Sequence, residues 1–171
     1  VATSAEIFKK IANLGLQLPP QPTANGGYDL VRIYRGLGYT SGQLPRTGSA
    51  ADDLIAGKVN TADDVPRAQD AARLCFIRAL MTLNEHLGDL SAIEQLVSIR
   101  GFVNAGPGFA LHARVLDAVS SLARDLFGDA AGGHVRTALG AGSLPSGGLV
   151  EVELVVGIKD SWTPSQAKAV R

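Results

Sequence analysis

The chain has 171 residues and sets 16 Lys+Arg against 16 Asp+Glu, so its formal net charge is zero. Hydrophobic residues make up 46% and charged residues 19%, the profile of a globular chain rather than a disordered one. The neutral balance leaves no electrostatic footprint for nucleic acid, and a lone cysteine, Cys75, excludes an internal disulfide framework.

The length suits one domain, with no internal repeat. No basic segment followed by an apolar run opens the chain, and no apolar stretch approaches ~20 residues. The expectation is a soluble, cytoplasmic protein. Glycine is abundant, at 20 residues, and aromatics are few, at 5%. Small residues and aliphatic packing therefore dominate, with tight turns or close backbone approaches.

Taken in chain order, Thr3–Leu14 reads as a short amphipathic helix. Thr3 and Glu6 have capping-box spacing, Ile7, Phe8, Ile11 and Leu14 share a face, and Gly15 is a stop. A Pro/Gly-rich connector follows, so residues 1–25 are expected to form a helix and an extended link ahead of a domain over 26–158. Alternation through Leu30–Arg35 predicts a strand, a turn at Arg35–Gly36 and a second short strand to Ser41. Residues 43–61 read as loop.

The strongest predicted helix is Asp63–Leu87. Acids and Pro66 mark its start, and Ala68, Ala72, Cys75, Ala79 and Leu83 line one face. Glu94–Asn104 alternates as a strand. Phe109–Phe127 predicts a second long helix stopped by Gly128. His134–Gly142 is a weak strand, and Leu149–Ile158 is the clearest one, with Val150, Val152, Leu154 and Val156 opposite Glu151 and Glu153. The tail from Lys159 is polar and is expected to fray. The order helix, β, β, helix, β, helix, β, β implies an α+β domain with helices on one face of a mixed sheet.

Motifs for familiar chemistries are absent from the sequence. His86, His112 and His134 lack metal-ligand spacing, and there is neither a Gly-x-Ser-x-Gly elbow nor a phosphate loop. Cys75, mid-helix among apolar residues, reads as a buried thiol. Two places stand out. Arg136 lies inside an apolar, small-residue strand, as either a solvated edge or a fixed receptor for carboxylate or phosphate. Glu151 and Glu153 share one face of the last strand, pointing to solvent or to a site or subunit interface.

Several segments carry a resemblance. Tyr28 followed by Tyr39-Thr-Ser-Gly42-Gln-Leu-Pro45 resembles the N-terminal signature of the YjgF/RidA family, and Ala68-Gln-Asp-Ala-Ala-Arg73 resembles a helix region of it. Arg136, Leu144-Pro145 and Val150-Glu151-Val-Glu153 are similar to its C-terminal signature, in order and at matching separations, from Gly26 to Ile158. The longer N-terminus and the block around His134–Gly140 resemble the endoribonuclease L-PSP, chorismate-mutase-like branch.

The resemblance implies a chorismate-mutase-like fold and a homotrimer with clefts between subunits. It also implies a hydrolase, a deaminase of reactive enamines and 2-imino acids that needs no metal or organic cofactor. Arg136 would clamp the substrate carboxylate, and Glu151 would orient or polarise the attacking water. Tyr28, Gly42, Thr137 and Ala138 would line the cleft. Ala138 stands where deaminating members usually carry cysteine, and Ala113 where many carry asparagine. The alternative reading is a non-catalytic binder of small carboxylate metabolites. The ribonuclease or translation-inhibitor role is disfavoured, for want of a basic cluster, stacking aromatics and paired histidines.

Overall fold

The computed structural model describes residues 2–50 and 52–163. The chain opens with α1 (Ser4–Asn13). Thr3 caps it through the predicted box, its side chain accepting from the Glu6 N–H while the Glu6 carboxylate accepts from Thr3. Ile7 and Ile11 are fully buried, whereas Leu14, the expected fourth member of that face, is 50% exposed. It lies beyond the last turn, where the chain leaves through Gly15 at φ 74°. Lys10 Nζ donates to the Leu126 carbonyl at 3.0 Å, tying α1 across the far end of a later helix.

The connector leads to β1 (Val31–Tyr34) and β2 (Leu37–Thr40), an antiparallel pair joined at Arg35–Gly36, as the alternation predicts. Both turn residues take positive φ, the conformation of a two-residue hairpin loop. A long loop follows. The main helix α2 (Val65–Leu87) is preceded by one 3-10 turn, where Asp64 accepts from the N–H groups of Asn60 and Thr61. Its predicted stripe Ala68, Ala72, Cys75, Ala79 and Leu83 is entirely buried. The alanines let the helix backbone approach the sheet closely, and burial raises the Cys75 thiol well above its ordinary range.

β3 (Ile93–Asn104), α3 (His112–Gly132) and β4 (Val135–Ala141) form a crossover unit, so β4 lies parallel to β3. Gly128, the predicted stop, interrupts α3 with φ 77° and ψ 170°, after which the chain makes a further turn to Gly132. β5 (Val150–Ile158) returns antiparallel between β2 and β3. The sheet order is β1-β2-β5-β3-β4, with β1 and β4 at its edges.

The two faces of this sheet differ. Val150, Val152, Leu154 and Val156 of β5 and Ile99 and Val103 of β3 are buried toward α2 and α3. The alternate residues Glu151, Glu153, Val155, Arg100 and Phe102 face away from the helices, and none of them is fully buried. The tail is held at its start. Lys159 N–H donates to Ala92 O, and Trp162 Nε1 donates to the Leu87 carbonyl at 3.1 Å. The expected fraying therefore does not apply at residues 159–163, and the rest of the tail lies outside the described residues.

Candidate active site

Arg136 is the second residue of edge strand β4. Its register partner is Ile99, a core residue, so its side chain leaves the sheet on the helix-covered side. There it meets α3. Arg136 Nη1 donates to Asp117 Oδ1 at 3.0 Å and to Ser120 Oγ at 2.9 Å. Asp117 and Ser120 are three residues apart, hence on one face of the helix. The Arg136 side chain is only 21% exposed, against 63% for Asp117.

Ser120 is itself held. Its Oγ lies 3.0 Å from His134 Nε2, and His134 Nδ1 lies 2.7 Å from the Gly132 carbonyl. A carbonyl only accepts, so Nδ1 carries the proton. In the neutral ring Nε2 then accepts from the Ser120 hydroxyl, leaving the oxygen lone pairs for Arg136. Nη1 has two hydrogens, and Asp117 and Ser120 take both. The Nε–Nη2 edge, the fork that matches a carboxylate bidentately, has no partner among the described residues.

Farther along the same face of β4 lie Ala138 and Gly140. A side chain at Gly140 would place its Cβ 2.5 Å from His112 Nε2, so glycine here makes room for the imidazole. That nitrogen is buried without a hydrogen-bond partner, and the ring packs edge-on against Phe109 with centroids 5.3 Å apart. Ala113 follows on the exposed side of α3.

Glu151 occupies the other face. Its register partner is Phe102, which pairs in turn with Leu139 of β4. The carboxyl lies over Gly42, where any side chain would run into it, so these two expected site residues are brought together. Burial raises the Glu151 pKa above the ordinary 4.5, and the nearby charge of Glu153 adds to the rise. Glu153 is paired with Arg100, one register step along, and Thr137 of β4 sits opposite Arg100. Glu151 has no hydrogen-bonding partner among the described residues.

Within one chain, therefore, the expected residues form two groups. Arg136 and Ala138 face α3, while Glu151, Gly42 and Thr137 belong to the open side. Tyr28 precedes β1 and is 53% exposed, its ring close to Gly26. The sheet itself separates the two groups, one on each face, and a side chain cannot pass through it. Asp117, Ser120 and the role of His134 are not evident in the sequence. On a helix whose Val115, Leu116, Val119 and Leu122 mark the core, polar residues at 117 and 120 look merely solvated. Among the described residues no group of three or more His, Cys, Asp and Glu is placed to hold a metal, and no helix is long and apolar enough to cross a membrane.

Comparison with known proteins places the fold. Residues 9–158 match the family model described as "YjgF/chorismate mutase-like, putative endoribonuclease". Protein TCP17 of Trypanosoma cruzi is 30% identical over 157 residues, covering 91% of this chain and 96% of that protein. The crystal structure of a protein of unknown function from Agrobacterium tumefaciens superposes with a TM-score of 0.79 at 34% identity, over 91% of this chain and 96% of that one. A structure from Shewanella oneidensis, described as a putative endoribonuclease, gives a TM-score of 0.79 at 29% identity, over 89% and 99%. The mixed sheet with its helices on one face is the chorismate-mutase-like architecture, and the chain belongs to the YjgF/RidA family.

Proposed function

We propose that this protein is a cytoplasmic enamine/imine hydrolase that converts small 2-imino acids to 2-keto acids and ammonia. The observation that carries the reading is Arg136, a mostly buried guanidinium with Nη1 fixed by Asp117 and Ser120 and its Nε–Nη2 fork uncommitted. Such a fork suits a substrate carboxylate, and holding it fixes the adjacent imine carbon for attack.

Hydrolysis of the iminium form is R–C(=NH2+)–COO− + H2O → R–CO–COO− + NH4+. Water oxygen bonds to the carbon, giving a carbinolamine. One proton moves from that oxygen to nitrogen, the C–N bond breaks as the C=O bond forms, and the leaving ammonia takes the remaining hydroxyl proton to depart as ammonium. Glu151 suits the proton transfer, because its raised pKa brings it nearer to neutrality.

Arg136 and Glu151 of one chain face opposite sides of the sheet, so a site using both is built from two copies. The open face of one subunit would lie near the α3–β4 edge of the next, in a homotrimer. Exposed apolar side chains on or beside that face favour such a contact: Val135 is 69% exposed, Leu139 50% and Tyr39 43%.

Freshly generated 2-aminoacrylate, followed by keto-acid release, tests the proposal. Acceleration that is lost in Arg136→Ala supports it. No acceleration over buffer sinks it. The binder reading draws on Ala138, which brings no thiol to the site. Binding of small carboxylates without turnover would establish that reading instead.

A further inference from the structure

Arg136 is not a lone cation. Its Nη1 shares Asp117 Oδ1 at 3.0 Å, and the Asp117 side chain is 63% exposed, with Oδ2 unpartnered among the described residues. The α3–β4 edge thus presents a cationic fork and an open carboxylate oxygen on the two members of one ion pair, with a summed charge of zero. A purely anionic ligand would gain from Arg136 and lose to Asp117. A ligand that carries a carboxylate and a cationic nitrogen on neighbouring atoms would gain from both.

We infer that Asp117 makes this edge a receptor for zwitterions, 2-iminium and 2-amino acids, that discriminates against 2-keto acids. The inference rests on the proposed reading of Arg136 as the carboxylate clamp and names the substrate class of that same site. It assigns Asp117 a direct contact with the ligand nitrogen, besides its hold on the guanidinium.

The consequence for turnover follows from the charges in the balanced reaction. The iminium substrate is net neutral. Hydrolysis removes its nitrogen as ammonium and leaves an anion. The keto acid then faces Asp117 with no cationic group of its own to be attracted, so the carboxylate that helps hold substrate helps expel product. Ser120 and His134 keep the guanidinium in place during the exchange, since they reach it through Nη1 and not through the fork.

The test uses pyruvate and L-alanine, which share a skeleton and differ in a carbonyl oxygen against an ammonium group. Calorimetry measures both on the full chain, on Asp117→Asn and on Arg136→Ala. The native chain is expected to prefer L-alanine. Asp117→Asn is expected to tighten pyruvate and weaken L-alanine, each by about three- to tenfold, the scale of a partly exposed charge pair. Asp117→Ser, which also removes the charge, must move the ratio the same way. In turnover of 2-aminoacrylate, pyruvate should inhibit Asp117→Asn more strongly than the native chain. An alanine-to-pyruvate ratio equal in the native chain and both Asp117 variants overturns the inference. If Arg136→Ala then abolishes both ligands, the carboxylate clamp survives and only the role of Asp117 fails. If Arg136→Ala leaves both ligands bound as before, or the native chain binds neither, the clamp fails and the inference with it.

Discussion

On the helix-covered side of the sheet, Arg136 is fixed before any ligand arrives, by Asp117, by Ser120 and, behind Ser120, by His134. On the open side, Glu151 lies against bare backbone at Gly42 with its pKa pushed up by burial. The same division holds for packing. The covered face is a closed aliphatic core, while the open face exposes Val135 and Leu139. One half of the proposed chemistry is organised by the chain that carries it. The other half is left to whatever meets the sheet.

Neighbouring residues of β5 break or sharpen this comparison most strongly. Leu154 is 1% exposed, and Leu154→Ala should cost about 2–5 kcal/mol, whereas Val155→Ala on the open face should cost less than about 1.5. Chemical denaturation measures both, and equal losses would erase the distinction between the faces. If copies meet on the open face, the Val155→Ala loss also depends on protein concentration.

Arg136→Ala comes next. Loss of a charge-assisted bidentate contact should cost about 2–4 kcal/mol in kcat/KM for 2-aminoacrylate or in carboxylate binding. Gly140→Ala should cost about 1–3 kcal/mol in thermal stability, because the new methyl meets His112. His112→Ala in the same background should recover part of that loss.

For Glu151 the sign is the test. A folded-state pKa above the unfolded value means that the folded chain holds the proton more tightly. The stability linked to that proton is complete below the ordinary 4.5 and is lost as pH rises through the raised value. Glu151→Gln should therefore raise Tm at neutral pH, with the gain vanishing in acid. A gain that persists below pH 4.5 would mean that the substitution acts by another route. The smallest expected effect is Ser120→Ala, about 1 kcal/mol of hydrogen-bond energy expressed as a higher KM with kcat unchanged, and Ser120→Thr should restore it.

The sequence carried the fold further than the site. Apolar periodicity placed every strand and both long helices, since burial of Val150, Val152, Leu154 and Val156 on one side writes itself into the order of residues. The exceptions are local. Gly128 breaks the helix as expected but a further turn follows it to Gly132, and Trp162 docks a tail whose composition reads as polar. The motifs named Gly42 and Glu151 separately, and only the structure lays the carboxyl over Gly42. The network around Arg136 was not. Asp117, Ser120 and His134 meet it only because α3 crosses to edge strand β4, a tertiary fact with no local signature. Alternation put Arg136 and Glu151 each on one side of its own strand, but only the register of β3 against both β4 and β5 reveals that those sides are opposite.

Trp162 has a practical consequence. It is the single tryptophan of the chain, and its indole is tethered to the C-terminal end of α2 just past the end of β5. Glu151 lies near the other end of that strand, about 23 Å from Ile158 by strand rise. Intrinsic fluorescence excited at the indole band therefore reads the docking of one helix end, with no competing emitter of its kind. A ligand seated at Arg136 or Glu151 would not quench it by contact. A change in that emission during a titration would report a rearrangement that has travelled the length of the sheet.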